Sequence, residues 1–476
     1  MPPAGSLEQL GERYGARYKW RVLLTAMIGT MASILSSTIV NVAVPDLSAY
    51  FQLGQAQAQW VSAGFMVAMT LSMLLTPWLL ERHGLRRTYS GAVALLMAGG
   101  VAGGLASDYD LVLAMRVVEG LAAGVLQPIP AIIILRAFEP HQQGRAMGIF
   151  GFGVVFAPAI GPAVGGFLVE QFGWRSIFFV VVPFCLSSLA LATRYLPAAL
   201  PGRGRKPIDW RGLILAGTGV ICLLNGLVQL QGQRVGQGFS LLFAGVLAIA
   251  GFILLELRLD APLMNLRLFG RRQFGMGALV AFIYGMALFG STYLLPVYMQ
   301  LALMYGPARS GLVLLPAGLV LAVVIPVAGS LADRLPAHWL VSGGLGLLAA
   351  SFALLATVGS GTPYLVLMLW AIVGRIGLGL VLPSLSLASM RGLAPTEIAQ
   401  GSVSINFARQ LGGAIGVSVT GILLEWRLTA HGASLAASDA SVPGRIRAFD
   451  ETLLALAVLC ALAMGAAWRM HPDKQP

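Results

Sequence analysis

Trp20-Arg-Val-Leu-Leu-Thr-Ala-Met-Ile-Gly-Thr-Met-Ala-Ser-Ile-Leu-Ser-Ser-Thr-Ile-Val-Asn-Val-Ala-Val-Pro45 contains no charged residue after Arg21. As a helix rising about 1.5 Å per residue, such a stretch crosses a hydrocarbon core of roughly 30 Å. A helix is required, because within one segment only a helix satisfies every backbone N–H and C=O away from water. The stretch is too long for the apolar core of a signal peptide, and no small-residue cleavage site leads on to a mature domain. It reads as a retained first helix. Working outward, comparable stretches follow at 59–80, 89–106, 111–134, 147–168, 177–195, 212–230, 239–257, 274–300, 311–332, 339–357, 364–388, 400–424 and 452–469. Together they predict an all-α membrane protein with 14 transmembrane helices.

Composition agrees: 57% of the residues are hydrophobic and 11% charged, against roughly a quarter charged in a soluble domain. The net charge of +12 does not indicate a nucleic-acid partner, because the basic residues are spread over alternate loops. Cys185, Cys222 and Cys460 all fall in apolar spans, so no disulfide framework or metal site follows. His83, His141, His338, His431 and His471 have no ligand spacing and read as solvated loop or tail residues. A Gly-x-x-x-x-Gly-Lys phosphate loop is absent, which argues against ATP drive within this chain. A membrane enzyme or receptor would need a soluble catalytic domain or clustered His, Asp and Cys, and the sequence has neither.

With the termini placed in the cytoplasm, 22 Lys and Arg fall in cytoplasmic segments. Six fall outside: Arg175, Arg234, Arg309, Arg427, Arg445 and Arg447. Arg116, Arg375 and Arg409 lie within spans. The bias predicts a multi-pass protein of the cytoplasmic (inner) membrane with both termini inside. The expected organisation is an N-terminal tail (1–19), a six-helix half (20–195), a basic linker (196–211), an inserted helix pair (212–257), a second six-helix half (274–469) and a C-terminal tail (470–476). The halves read as a repeat. Gly-Val-Leu-Gln-Pro at 124–128 aligns with Gly-Leu-Val-Leu-Pro at 379–383, an offset of 255, and Leu80-Glu81-Arg82 aligns with Ala332-Asp333-Arg334, an offset of 252. Internal repeats of this kind are the usual architecture of secondary transporters.

After the second span comes Pro77-Trp-Leu-Leu-Glu81-Arg82-His83-Gly84-Leu85-Arg86-Arg87. A carboxylate at a helix end, a tight Gly turn and basic residues can pin neighbouring helices through charge-assisted hydrogen bonds. A generic positive-inside loop is the alternative. The fifth span carries Ala157-Pro158-Ala159-Ile160-Gly161-Pro162-Ala163-Val164-Gly165-Gly166, where small residues permit close helix approach and prolines permit bending. This stretch reads either as part of the gate or as a packing seam.

These residues resemble the major facilitator superfamily, and within it the fourteen-helix drug:proton antiporter branch of the QacA and EmrB type. The resemblance covers nearly the whole chain. Thr38 to Pro45 looks like the branch's first-helix signature, Pro77 to Arg87 like the superfamily's loop motif, Arg116-Val-Val-Glu119-Gly120 like the fourth-helix motif, and Ala157 to Gly166 like the antiporter motif. Gly173-Trp174-Arg175-Ser176-Ile177-Phe178-Phe179, ending at Pro183, and Arg409-Gln410-Leu411-Gly412-Gly413-Ala414-Ile415-Gly416 are further branch-like stretches. The implied fold is the major facilitator fold, two six-helix halves plus two inserted helices. Three departures stand out. Ser36 occupies the position where the family usually has an aspartate, Glu119 stands where it usually has glutamine, and Pro77 and Glu81 replace glycine and aspartate.

Glu119 is the one carboxylate that this reading places deep inside a span. Arg116, three residues earlier on the same face, would stabilise it while burial opposes it. The pair reads either as the proton-coupling site or as a static ion pair. Arg375 aligns with Gly120 in the repeat and is a cavity candidate, as are Asn41, Tyr293, Arg409 and Gln410; Arg409 is also readable as structural. Three cavity arginines and one ionised Glu119 would sum to +2, which disfavours cationic drugs. The expected function is proton-coupled export of amphipathic or hydrophobic compounds by alternating access. The alternative is an importer or facilitator of a small organic anion or metabolite. Protons are the coupling ion and no cofactor is expected. The expected partners are the lipid bilayer and amphipathic small molecules, with a periplasmic adaptor and outer-membrane channel compatible with the reading.

Overall fold

A computed structural model describes residues 14, 15, 17–53, 55–197, 207–230, 235–259, 262–305, 307–359, 361–433 and 442–471. The tail residues 1–13 and 472–476 and the linker residues 198–206 lie outside the described residues. The helices in chain order are α1 (Tyr18–Phe51), α2 (Gln55–Ser72), α3 (Thr76–Gly104), α4 (Tyr109–Leu126), α5 (Ile129–Ala137), α6 (Pro140–Phe172), α7 (Ser176–Phe179) and α8 (Val181–Tyr195). Then come α9 (Trp210–Leu230), α10 (Val235–Arg258), α11 (Arg272–Leu301), α12 (Pro307–Ala332), α13 (Ala337–Leu355), α14 (Tyr364–Met390), α15 (Ile398–Ala430) and α16 (Val442–Trp468).

They amount to 14 membrane crossings, because α3 bends at Gly84 and serves two crossings while α4 with α5, and α7 with α8, each complete one. Gly84 has φ +73° and ψ 171°, a backbone region that a residue with a Cβ enters only under strain. The Thr88 hydroxyl donates to the Leu79 carbonyl at 2.9 Å across this turn. The second crossing tightens into a 3₁₀ turn at Met73–Leu75 just before Pro77, whose missing N–H suits the first turn of a new helix.

The chain divides into two compact units. The first comprises Met1–Leu213, Leu259–Asn265 and Leu393–Val403; the second comprises Ile214–Arg258, Leu266–Gly392 and Ser404–Pro476. In the first unit α4 packs on α2 and α3, α8 packs on α3 and α1, and α6 packs on α1. In the second unit α14 packs on α12 and α13, and α16 packs on α13 and α11. Gly412 and Gly416 press α15 against Phe282 and Met286 of α11. The same helix partnerships thus recur, which is the repeat expected from the 255-residue offset. α9 and α10 form a hairpin sealed by glycines, with Gly226 against Leu242 and Gly245 against Leu223. Phe239, Phe243, Val246 and Leu247 of α10 are exposed, as lipid-facing residues must be.

Several expectations need correction. The fourth span, expected over 111–134, extends over Tyr109–Ala137 with a turn at Gln127–Pro128, where the buried Ser402 hydroxyl donates to the Pro128 carbonyl at 3.2 Å. The last helix starts at Val442 rather than 452, because its polar opening turns are helical although hydropathy alone does not mark them. Arg445, read as a loop residue, is therefore buried at 3% exposure and donates to the Leu301 carbonyl at 2.9 Å. His338, read as solvated, is buried at 6% exposure in the first turn of α13, packed against Trp468 and His471. Glu256 is buried too, but in the last turn of α10 and not deep in a span.

Candidate functional site

The first unit builds its polar centre on α4. Asp108 caps the helix, its Oδ1 accepting the Leu111 N–H at 2.8 Å, and Asp110 in the first turn complements the helix dipole. Further along, a Cβ on Gly120 or Gly124 would collide with the backbone carbonyls of Phe65 and Met69. These glycines therefore bring the α4 and α2 backbones together. On the other side Gly99 and Gly100 of α3 make room for Glu119: a Cβ on Gly99 would lie 2.9 Å from its Cγ, and one on Gly100 3.3 Å from its Oε1.

Arg116 and Glu119 are each 1% exposed and form an ion pair, Nη1 to Oε2, at 2.6 Å. Nη1 also donates to the Ser36 hydroxyl at 3.0 Å and to the Ser36 carbonyl at 3.3 Å, and Nε donates to the Val61 carbonyl at 3.2 Å. The guanidinium lies 4.3 Å from the centre of the Phe65 ring. The Ser36 hydroxyl in turn hydrogen-bonds with the Glu119 carboxylate. Nη2 of Arg116 is buried with no acceptor among the described residues. The site is thus a desolvated carboxylate–guanidinium pair, bridged by a serine and with spare donor capacity on the arginine. An arrangement of this kind holds one charge state tightly and responds strongly when a proton cancels one partner.

The sequence identified Arg116 and Glu119 as neighbours through their spacing. It did not identify Val61, Gly99 and Gly100, although the adjacent glycines in an apolar span were a signal of close approach, and it marked Phe65 only as an aromatic candidate for an apolar binding surface and not as a neighbour of Arg116. Ser36 drew attention only as a departure from the family pattern.

In the second unit the buried Tyr284 of α11 is in electrostatic contact with both Arg375 of α14 and Arg409 of α15, and its hydroxyl donates to the Leu378 carbonyl at 3.3 Å. Arg409 donates through Nη2 to Asn406 Oδ1 at 2.8 Å, one turn earlier on its own helix. Neither arginine forms an ion pair with any described residue, and both are half-buried, as is Gln410. Tyr293 lies about two and a half turns beyond Tyr284 and is 37% exposed. Asn41 accepts a hydrogen bond from the Ser62 hydroxyl at 2.7 Å, tying α1 to α2.

Of the loop-motif residues, Pro77 is buried, Arg86 half-buried, and Glu81, Arg82 and Arg87 exposed, with Arg82 stacked 5.0 Å over the Trp78 ring. Glu81 is in electrostatic contact with Arg136 of α5, which donates to the Pro395 carbonyl at 3.2 Å. Asp333 and Arg334 close the end of α12 in the second unit. On α6, Gly161 and Gly165 are buried against α1, where added Cβ atoms would lie 3.0 Å from Thr38 Oγ1 and 2.6 Å from Ile39 Cγ1, and Gly166 is a looser neighbour of Val42. Pro158 and Pro162 sit within the same helix.

The model of the Major Facilitator Superfamily matches residues 26–417. The chain is 31% identical over 469 residues to the multidrug resistance protein B homolog of Mycobacterium tuberculosis, covering 95% of this chain and 86% of that protein. It is 30% identical to the tetracenomycin C resistance and export protein of Streptomyces glaucescens, over 86% of this chain and 76% of that one. Its fold is similar to that of the human organic anion transporter MFSD10, with a TM-score of 0.67 at 16% identity, covering 94% of this chain and 99% of that one.

Proposed function

The chain belongs to the Major Facilitator Superfamily, a family of multi-pass membrane transporters and not of enzymes, and on that premise we propose that it is a proton-coupled exporter of amphipathic compounds, of the QacA and EmrB type. The buried Ser36–Arg116–Glu119 network carries this reading. In the family pattern the acid belongs on the first helix and an uncharged glutamine on the fourth. Here the two positions have exchanged character, and both touch the same arginine. A carboxylate moved from one side of Arg116 to the other keeps the charge balance, so Glu119 takes the proton-carrying role. Ionised, it is held by Arg116 and the Ser36 hydroxyl. Protonated, it leaves the guanidinium uncompensated in a low-dielectric interior, a state that persists only if the surrounding helices rearrange. Proton binding is thereby linked to alternating access.

The direction of transport is supported by the relatives named for drug resistance and export. For the substrate, Arg375 and Arg409 offer positive charge without a neighbouring carboxylate, which favours neutral or anionic amphiphiles over cations. Tyr284, Tyr293, Asn41 and Gln410 supply polar contacts beside apolar surface. The loop residues Pro77 to Arg87, with Asp333 and Arg334, act as gate elements, and the seam of Gly161, Gly165 and Gly166 with Pro158 and Pro162 is where α6 moves against α1. Both termini lie in the cytoplasm of a bacterial-type cell, as the distribution of basic residues supports.

Proteoliposomes with an imposed pH gradient test the reading. Accumulation of a neutral and an anionic amphiphile should depend on the gradient, with a cationic one transported least. Transport of all three without any dependence on the gradient removes proton coupling.

A further inference from the structure

At one end of the second unit, the ends of α12, α13, α14 and α16 and the start of α11 enclose a cavity of about 400 Å³. Its charged and polar lining comprises Gln273, Asp333, Arg334, His338, Arg391 and His471. Counting Arg334 and Arg391 against Asp333, the formal charge is +1 with both histidines neutral. Arg334 and Arg391 are exposed, and their guanidinium groups form no ion pair or hydrogen bond with any described residue.

His338 supplies an independent observation. It is 94% buried by its 6% exposure, and its ring packs edge-on against Trp468 at 5.5 Å and beside His471 at 4.8 Å, yet it hydrogen-bonds to no described side chain or carbonyl. A buried imidazole without a protein partner is costly unless its polar edge serves the space that it lines. That space is also where α13 begins, and the helix starts behind Pro336 with no side-chain cap. The Trp339 N–H is taken by the Pro336 carbonyl at 3.0 Å, which leaves the N–H groups of Ala337 and His338 and the positive end of the dipole for an acceptor. Two guanidinium groups and an imidazole without a partner among the described residues converge with the start of α13 on one cavity, and all of them favour an anion with several acceptor oxygens.

Trp339 and Trp468 indicate where that anion comes from. They are 58% and 52% exposed, pack against each other at 5.0 Å, and flank His338. Exposed tryptophans at the end of a membrane helix sit at headgroup level. We propose that this cavity binds a phosphate group, presented by the headgroup of an anionic membrane phospholipid. The site is separate from the Arg116–Glu119 network and does not depend on the direction of transport.

The test uses the purified full-length chain in neutral detergent, with thermal unfolding followed during titration with phosphatidylglycerol, phosphatidylcholine of the same acyl chains, or inorganic phosphate. Phosphatidylglycerol should stabilise the wild-type chain at lower concentration than phosphatidylcholine. Arg391→Gln should weaken that apparent affinity by about fivefold, and Arg391→Glu by more. His338→Gln should weaken it too; Arg391 is exposed, so its variants remain informative if the His338 variant folds poorly. Inorganic phosphate that competes with phosphatidylglycerol in the wild type but not in Arg391→Glu supports the phosphate chemistry. Phosphate that stabilises the chain while the two lipids act alike overturns the lipid source in favour of a soluble phosphate ester. Equal response to both lipids with no effect of phosphate, or a lipid preference unchanged in Arg391→Glu, overturns the site.

Discussion

Glu119 and Ser36 lie on the same guanidinium, and this arrangement fixes what single substitutions should do. Glu119→Gln keeps the shape and one acceptor oxygen but cannot titrate. It should fold and bind substrate yet lose proton-driven accumulation, and raising the pH should not restore it; drug accumulation in everted vesicles over a pH series checks this. Arg116→Leu leaves Glu119 buried alone, and a broken buried pair costs about 3–5 kcal/mol. Thermal unfolding in detergent should fall sharply for that variant and recover in large part in Arg116→Leu/Glu119→Leu, where no charge remains. Arg116 and Glu119 were legible in the sequence because an ionisable residue in an apolar span is conspicuous and a spacing of three puts two residues on one helix face. The third partner was not, because nothing local to α1 shows that Ser36 meets a helix 80 positions away. Tyr284 was legible as an aromatic candidate for an apolar binding surface, but nothing local to α11 shows that it meets Arg375 and Arg409.

Helices that move against each other need a seam without bulk, and α6 presents Gly161 and Gly165 to α1. Gly165→Leu drives a branched side chain into Ile39, and Gly161→Leu into Thr38 and Leu35. Both should reduce transport severely, by an order of magnitude or about 1.4 kcal/mol of barrier, while the protein still reaches the membrane; efflux normalised to the amount of membrane-inserted protein measures it. Unchanged efflux in both variants would reduce the seam to passive packing. The repeat extends the argument, since Gly416 lies 255 positions after Gly161 and packs on Met286 of α11. Helix existence was legible throughout, because apolar runs of this length have no other solution in a bilayer. Helix ends were not. α16 continues through Arg445, Arg447, Asp450 and Glu451, and Glu451 then pairs with Arg427 and His431 at the end of α15, contacts that make polar turns worth folding. His338 was misread for a related reason, since only the assembled ends of α13 and α16 show that Trp468 covers it.

Across the whole chain, the two units repeat one set of helix partnerships but differ in their polar centres: a neutralised pair in the first, two arginines without a carboxylate in the second. On the proposed reading, proton handling belongs to the first unit and substrate charge preference to the second. Arg375→Ala should therefore shift selectivity from anionic toward cationic amphiphiles while leaving the pH dependence of transport unchanged, as competition assays across a charge series can show. The distribution of basic residues makes a further claim: tags at either terminus, or inserted between Arg203 and Lys206, should be shielded from an impermeant label in sealed cells. The central claim is that the proton travels through the Arg116 network. It is tested most directly by substrate-driven proton flux into proteoliposomes carrying a trapped pH-sensitive dye, comparing wild type, Glu119→Gln and Ser36→Asp/Glu119→Gln. The account predicts flux in the wild type, none in Glu119→Gln, and partial return in the double variant, where the carboxylate has moved back across the same arginine. Undiminished flux in Glu119→Gln would contradict it.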